Sequence, residues 1–143
     1  NDFLTGTPDV NTDSILLDVK SSYDATTFPF FAEEIPNKDY YYQLMGYMAL
    51  CNKRKSVLAY CLINTPEQIV EDEVRRAHWK NHLIDESDEL RAEVEAKHNF
   101  NHIPAKKRIK TFEVRYDKEV VKAIYDRIKE CREYYKTLID EQD

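Results

Sequence analysis

Glycine and long apolar runs are both scarce in this chain. Its 143 residues include only two glycines, which excludes collagen-like and glycine-rich linker sequences. No apolar stretch approaches the roughly 20 residues that a membrane-spanning helix needs, and we recognise no signal peptide or targeting segment. With 42% hydrophobic residues, the chain is long enough to bury one core. We therefore expect a single domain over residues 1–143 and no membrane partner.

Cysteine is also rare, and the charge balance is negative. Cys51, Cys61 and Cys131 are widely spaced and odd in number, which argues against a disulfide framework and for a reducing compartment. Three thiolates fall short of the four that an iron–sulfur cluster normally requires. The net charge of −6 is unfavourable for a nonspecific nucleic-acid binder.

The first informative motif is an acidic and a basic residue two apart on an apolar segment. Residues two apart on a strand share a face, so Asp18 and Lys20 are expected to point the same way. The alternate residues Ile15, Leu17 and Val19 are expected to pack on a core. An ordinary surface strand would show the same alternation, so this motif alone has little specificity.

A second acidic motif lies just upstream. Pro8-Asp9 follows an extended stretch at residues 3–5 and precedes the turn-rich residues 11–14, which predicts two strands joined by a turn. Such a hairpin would bring Asp9 beside Asp18.

Two adjacent carboxylates repel each other unless a cation lies between them, and hard oxygen ligands suit Mg²⁺ or Mn²⁺. We predict a metal site made of Asp9, Asp18 and the main-chain carbonyl of Val19. A bound divalent ion suits phosphodiester hydrolysis. Lys20 would position the attacking water or stabilise the developing charge.

A helix is predicted from residue 37 or 38 to residue 50 or 51, directly after Pro36. Gln43 and Tyr47 are four apart and therefore lie on one face of this helix. An amide and a phenol there could hold a water or a phosphate oxygen. Core or interface packing accounts for most of the neighbouring Tyr40, Tyr41 and Tyr42.

The rest of the chain reads as alternating strands and helices. Residues 56–63 form an apolar run expected of a strand buried on both faces, beside the Asp18 strand. A helical insertion at about 66–100 follows as two helices, with Thr65 as N-cap, Pro66 in the first turn and a break near residues 85–88. A strand around 108–114 comes next. This order predicts an α/β sandwich around a mixed sheet.

The last predicted helix begins at residues 117–119 and is amphipathic. Its apolar stripe, expected to pack on the sheet, consists of Val120, Val121, Ile124, Ile128, Cys131, Tyr135 and Leu138.

Two histidine pairs have the i, i+4 spacing of a helical zinc site: His78 with His82 and His98 with His102. Neither pair is joined by cysteine or by a suitable glutamate motif. We expect all four histidines to be structural or exposed to solvent.

Basic residues cluster locally despite the negative net charge. We give these clusters, together with Ser21, a supporting role in binding phosphates. They are Lys53, Arg54 and Lys55, and Lys106, Lys107, Arg108 and Lys110.

Taken together, residues 6–9, residues 17–21, Gln43 with Tyr47, and residues 103–114 resemble the PD-(D/E)XK nuclease superfamily, and within it the lambda-exonuclease-like, YqaJ-type phage recombination nucleases. The resemblance implies a restriction-endonuclease-like core with a mixed central sheet flanked by helices. It also implies that Asp9 and Asp18 are metal ligands, that Lys20 is the catalytic lysine, and that Gln43 and Tyr47 are active-site residues.

Such nucleases usually carry a further acidic residue on a helix upstream of the Pro-Asp strand. We therefore expect this sequence to be the C-terminal portion of a longer chain that lacks its N-terminal helical part.

The implied function is a Mg²⁺-dependent exonuclease that resects linear double-stranded DNA for recombination. A catalytically inactive DNA-binding or assembly module, or a structure-selective endonuclease, remains open as an alternative. The implied partners are DNA, further copies of the chain and a single-strand annealing recombinase. The implied location is the cytoplasm of a bacterial or phage-infected cell.

Overall fold

The computed structural model describes residues 1–83, 85 and 87–140. Its elements, in chain order, are β1 (Val10–Asn11), β2 (Leu16–Ser21), α1 (Lys38–Leu50), β3 (Lys55–Cys61), α2 (Glu67–Lys80), α3 (Asp88–His98), a short 3₁₀ helix (Ala105–Arg108), β4 (Ile109–Arg115) and α4 (Lys118–Asp140). The strands form one mixed, four-stranded sheet in the order β1-β2-β3-β4. The α/β class predicted from the sequence is confirmed.

Two compact units make up the chain. Unit 1 contains residues Asn1–Asp18, Glu33–Leu58 and the chain from Phe112 onward. Unit 2 contains Val19–Ala32 and Ala59–Thr111. Helices α1 and α4 contact each other in unit 1, and α2 and α3 contact each other in unit 2.

Helix α1 begins and ends as its sequence predicts. Asn37 is the N-cap, and its Oδ1 accepts a hydrogen bond from the backbone N–H of Asp39 at 2.8 Å, which satisfies one of the free N–H groups of the first turn. Leu44, Met45 and Met48 are buried on one side of the helix.

The buried face of β2 is opposite to the predicted one. Leu16 and Asp18 are buried, whereas Ile15 and Val19 are 37% and 39% exposed, and Leu17 is intermediate. The alternation itself is correct, but apolar residues occupy both faces of this strand. The hydrophobic pattern therefore does not determine which face is buried.

The strand predicted at residues 3–5 is wrong, because the strand that pairs with β2 is Val10–Asn11. The backbone N–H groups of Phe3 and Leu4 both donate to Asn1 Oδ1 at 2.9 Å, so a local turn uses them instead of a strand ladder.

Strand β3 lies beside β2 in the sheet, as predicted. Ser56, Leu58, Ala59 and Tyr60 are buried and Val57 is intermediate, so side chains on both faces are largely covered. Strand β4 starts one residue later than predicted, because Arg108 belongs to the 3₁₀ helix.

Helix α2 lacks the predicted cap. Pro66 occupies the N-cap position and makes no side-chain cap hydrogen bond. The prediction for Thr65 is wrong because its hydroxyl is hydrogen-bonded to His98 Nδ1 at 2.9 Å, which ties the start of α2 to the end of α3. The predicted break is confirmed, since α2 ends at Lys80 and α3 begins at Asp88. Glu86, which is part of the predicted break, lies outside the described residues.

Neither histidine pair lies on one helix face. His82 has a left-handed φ of 56° beyond the end of α2, and His102 follows the end of α3. His78 Nδ1 donates to the Val74 carbonyl at 2.8 Å, and its Nε2 accepts from the Ser87 N–H at 2.8 Å. The prediction that His78 and His98 are structural is confirmed.

Helix α4 starts where predicted, since Asp117 Oδ1 accepts from the Glu119 N–H at 2.8 Å. Packing of its whole apolar stripe is not observed. Val121 is buried, whereas Tyr135 is 64% exposed, Leu138 is 41% exposed and Cys131 is exposed. The apolar stripe is therefore covered in the first half of this 23-residue helix and exposed in its second half. Among the described helices, none has the length and apolar composition needed to cross a bilayer.

Candidate active site

The hairpin of β1 and β2 brings the two predicted metal ligands together in unit 1. The strands are antiparallel, with Val10 opposite Leu17 and Asn11 opposite Leu16. Continuing this register by one residue places Asp9 opposite Asp18. Residues directly opposite each other in such a pair have Cβ atoms about 4.5–5.5 Å apart. The hairpin register supports the predicted juxtaposition of Asp9 and Asp18, which stays a prediction.

Lys53 holds the turn of this hairpin. Its Nζ donates to the carbonyl of Thr12 at 2.6 Å and to the carbonyl of Asp13 at 3.1 Å. The Thr12 N–H donates to the Ile15 carbonyl at 2.9 Å. Lys53, predicted as a DNA contact, thus has an intramolecular role that supports the register placing Asp9 opposite Asp18.

Burial distinguishes the two carboxylates. Asp18 is only 3% exposed, whereas Asp9 is exposed. Like charges directly opposite each other on a sheet destabilise it. A cation bound between Asp9 and Asp18 would relieve that repulsion.

The donor set fits a divalent cation that keeps part of its water shell. Mg²⁺ is typically bound by one or two carboxylates with water in the remaining positions. Val19, whose main-chain carbonyl is the third predicted ligand, directly follows Asp18 on β2. Within residues 1–83, 85 and 87–140, no group of three His, Cys, Asp or Glu side chains is placed to hold a metal ion.

Tyr47 of helix α1 packs against Gly6, which precedes Pro8-Asp9 in the chain. Gln43 Nε2 donates to Tyr47 Oη at 2.8 Å. A Cβ atom at Gly6 would lie 2.6 Å from Tyr47 Cε1, so the backbone at Gly6 passes directly against the Tyr47 ring. Because Asp9 is only three residues from Gly6, the structure groups the Pro-Asp segment with Gln43 and Tyr47.

Lys20 follows Asp18 by two residues on β2 and is half-buried. Strand alternation places its side chain on the face that carries Asp18. Lys20 belongs to unit 2. Ser21, at the end of the strand, is exposed.

The remaining residues of the first basic cluster also contact other parts of unit 1. Arg54 lies over the Tyr116 ring, with its Cζ 4.9 Å from the ring centroid. Lys55 Nζ lies 2.5 Å from Glu113 Oε2, and its hydrogen bond lowers the pKa of the Glu113 carboxyl. DNA contact by this cluster stays a prediction.

The second basic cluster lies on the 3₁₀ helix. Lys106 and Lys107 are exposed, and Arg108 is intermediate. Arg108 Nε is buried without a hydrogen-bond partner among the described residues. DNA contact by this second basic cluster also stays a prediction.

Sequence reasoning missed two features of this site. Asp18 lies on the buried face of β2 instead of the predicted polar face, and the close contact between Gly6 and the Tyr47 ring was not predicted. A glycine next to Pro-Asp in a chain with only two glycines was the available signal for a close backbone contact.

Comparison with protein-family models and with curated protein sequences gives no match. Among solved structures, the chain is similar to the crystal structure of a phage-related exonuclease from Haemophilus somnus 129PT, with a TM-score of 0.75 and 28% identity. The match covers all of this chain and 59% of that exonuclease. The chain therefore has a YqaJ-like nuclease fold, which confirms its predicted resemblance to the PD-(D/E)XK nucleases at the level of the fold.

Proposed function

We propose that this chain is the metal-binding part of a metal-dependent deoxyribonuclease, of the phage exonuclease type that resects linear double-stranded DNA for recombination. The observation that carries this proposal is the antiparallel hairpin of β1 and β2, whose register, if continued by one residue, would bring Asp9 opposite the buried Asp18. The similarity to a phage-related exonuclease supports the same class of reaction. The chain spans 59% of that protein, so activity, substrate and partners are proposed for the whole enzyme.

Asp9, Asp18 and the Val19 carbonyl would hold Mg²⁺ or Mn²⁺. A bound ion would supply positive charge beside the phosphate and lower the pKa of a coordinated water, which eases its deprotonation for attack. Lys20 supplies a positive charge on the Asp18 face of β2, where it would orient the attacking water or stabilise the developing charge.

Gln43 and Tyr47 act as a positioning pair in this proposal. The hydrogen bond from Gln43 Nε2 to Tyr47 Oη fixes the orientation of the amide. The Gln43 Oε1 is then oriented to accept from a water, and the Tyr47 hydroxyl keeps its proton for a phosphate oxygen or a second water. DNA is the proposed partner, together with further copies of the chain and a single-strand annealing recombinase, and the proposed location is the cytoplasm.

Metal binding tests the carboxylate pair directly. Mn²⁺ titration by calorimetry should show binding to the wild-type chain and at least tenfold weaker binding to Asp18→Asn, because the amide removes a charged ligand. Asp13→Asn is the matched control, since Asp13 lies exposed in the same hairpin and its contact with Lys53 uses the main chain. Equal Mn²⁺ affinity in Asp18→Asn and the wild type would contradict the proposed site.

Cleavage tests the reaction. With Mg²⁺, an end-labelled linear duplex should be degraded while covalently closed circular DNA survives. Lys20→Ala should slow degradation by roughly 10²–10³-fold, as removal of one charge-stabilising donor does. Lys97→Ala, which removes an exposed lysine from α3, should leave the rate unchanged. Cutting of closed circular DNA would indicate an endonuclease instead.

A catalytically inactive DNA-binding or assembly module is the second candidate. The absence of any three-residue metal cluster among the described residues favours it. The same assay, made with this chain and with a version extended at its N-terminus, separates the two candidates. Metal-dependent cleavage by either chain supports the nuclease, and DNA binding without cleavage by both supports the module.

A further inference from the structure

The single tryptophan of this chain is exposed to solvent. Trp79 lies in the last turn of α2 and is 83% exposed, although tryptophan is normally among the most buried residues on average. Its indole contributes little to the core of unit 2. The exposure leaves the indole accessible to a ligand.

Three basic residues lie close to the indole on α2. Arg75, Arg76 and Lys80 lie four, three and one residues from Trp79, and residues 75–82 contain no acidic residue. Positions three and four apart on a helix are neighbours, so the two guanidinium groups lie on the turn next to the indole. The end of α2 that carries Trp79 thus presents three basic side chains, in a chain of net charge −6.

The two arginines can exchange their present partners. Arg75 pairs with Asp72, and Arg76 Nη1 lies 2.9 Å from Glu73 Oε1. Both arginine side chains are more than 70% exposed. Exposed ion pairs contribute at most about 1 kcal/mol, so phosphate oxygens can replace these carboxylates with little loss of stability.

A cleft of about 450 Å³ borders the indole within unit 2. Its lining includes Trp79, Leu83 and His78 together with two acidic residues, Glu71 and Asp85. The chain turns at the left-handed His82, and the Leu83 N–H donates to the His78 carbonyl at 3.0 Å. This turn places an apolar side chain that is 43% exposed beside the last turn of α2.

Arg91 supports this surface from α3. Its Nη1 and Nη2 donate to the two carboxylate oxygens of Glu71 at 2.6 and 3.1 Å, a bidentate geometry that joins α3 to α2. The backbone that carries Trp79 is thus held by a second helix.

We propose that Trp79 is a stacking platform for an unpaired base of single-stranded DNA, and that Arg75, Arg76 and Lys80 contact the flanking phosphates. A flat exposed ring accepts any unpaired base, and adjacent cations follow the backbone of a single strand. The inference rests on the proposed nuclease function for the choice of DNA as the nucleic acid. Inside a duplex both faces of each base are covered by its neighbours, so the interior of double-stranded DNA offers no face to this ring.

The lone tryptophan makes the test direct. In EDTA, which prevents metal-dependent cleavage, a short oligothymidylate should quench the intrinsic fluorescence, because all tryptophan emission comes from Trp79. Fluorescence anisotropy of a labelled oligothymidylate should show that Trp79→Ala binds it roughly tenfold more weakly than the wild type. Trp79→Phe keeps an aromatic face and should retain most of the affinity.

Matched controls separate this site from general surface effects. Tyr134→Ala removes an aromatic side chain of similar exposure, 65%, from α4 and should not change the affinity. Lys80→Gln should reduce the slope of log affinity against log salt by about 0.7, as expected for one phosphate contact on a single strand. Lys97→Gln should leave that slope unchanged.

Three results would overturn the inference: no quenching at a concentration where the oligonucleotide is bound, unchanged affinity in Trp79→Ala, or self-association in sedimentation that Trp79→Ala abolishes. The last result would assign the indole to contact with a second copy of the chain. The binding experiment is repeated with Asp18→Asn, in which the proposed metal site is removed. If Asp18→Asn binds the oligothymidylate and neither the wild type nor the N-terminally extended chain cleaves DNA, this inference stands and the proposed nuclease is rejected. If the wild type cleaves DNA but Trp79 does not contribute to oligothymidylate binding, the nuclease stands and this inference is rejected.

Discussion

At the scale of single residues, the two glycines of the chain differ in what surrounds them. An added Cβ at Gly6 would lie 2.6 Å from Tyr47 Cε1, whereas one at Gly46 would meet only Leu4 Cδ1 at 3.9 Å. The first distance requires the Tyr47 ring to move, and the second is an ordinary van der Waals contact. The requirement for glycine is therefore specific to the position beside the Gln43–Tyr47 pair.

Alanine substitution should change stability in opposite directions at these positions. Gly6→Ala should lower the free energy of unfolding by about 1–3 kcal/mol through overpacking. Gly46→Ala should raise it by up to about 1 kcal/mol, because alanine is the better residue in a helix interior. Urea unfolding measures both. Combining Gly6→Ala with Tyr47→Ala should remove the penalty, and its persistence would mean that the Tyr47 ring is not the obstacle.

At the scale of secondary-structure elements, α1 and α2 both end through a residue with left-handed backbone. Asn52 has φ 52° and His82 has φ 56°. After each, a backbone N–H returns to the helix: Lys53 N–H donates to the Met48 carbonyl at 2.9 Å, and Leu83 N–H donates to the His78 carbonyl at 3.0 Å. These are the bonds of a Schellman motif.

Glycine at the two helix ends should stabilise the protein unequally. His82→Gly should raise the free energy of unfolding by roughly 0.5–1 kcal/mol, because a residue with a Cβ is strained in the left-handed conformation. Asn52→Gly should gain less, since asparagine enters this conformation more readily. Thermal or urea unfolding measures the difference. A larger gain at Asn52 than at His82 would contradict this account of the helix ends.

Helix caps show which local sequence signals were sufficient to predict where a helix begins. The caps at Asn37 and Asp117 act within one helical turn, and both helices begin where the sequence predicts. Thr65 was equally suitable as a cap by sequence, but its hydroxyl bonds to His98, 33 residues away. A local pattern does not contain a contact with a distant residue, so this cap was mispredicted.

At the scale of the whole molecule, ion pairs hold carboxyl pKa values below their ordinary range. The hydrogen bond from Arg91 lowers the pKa of Glu71, that from Lys97 lowers the pKa of Glu93, and that from Lys122 lowers the pKa of Asp126. A carboxyl with a lower pKa in the folded state contributes stability above its unfolded value. That contribution is lost as the pH falls through the folded pKa.

We therefore expect the urea midpoint to be nearly constant above about pH 5 and to fall on further acidification. In NMR titrations, Arg91→Gln should raise the pKa of Glu71 toward its ordinary value of 4.5. Glu93, whose partner is Lys97, is the internal control and should titrate unchanged. An unchanged Glu71 pKa in Arg91→Gln would show that the ion pair between Arg91 and Glu71 does not form in solution.

The sequence by itself determined the α/β class, the strand that carries Asp18 and the helix that carries Gln43 and Tyr47. These depend on strand and helix periodicity, turn residues and caps, whose physical causes act over a few residues. Only the tertiary structure decided that Asp18 lies on the buried face of β2, that Gly6 lies against Tyr47, and that Trp79 is exposed. Burial and close contact depend on residues far apart in the chain, and apolar residues on both faces of a strand leave its orientation open until the rest of the fold packs against it.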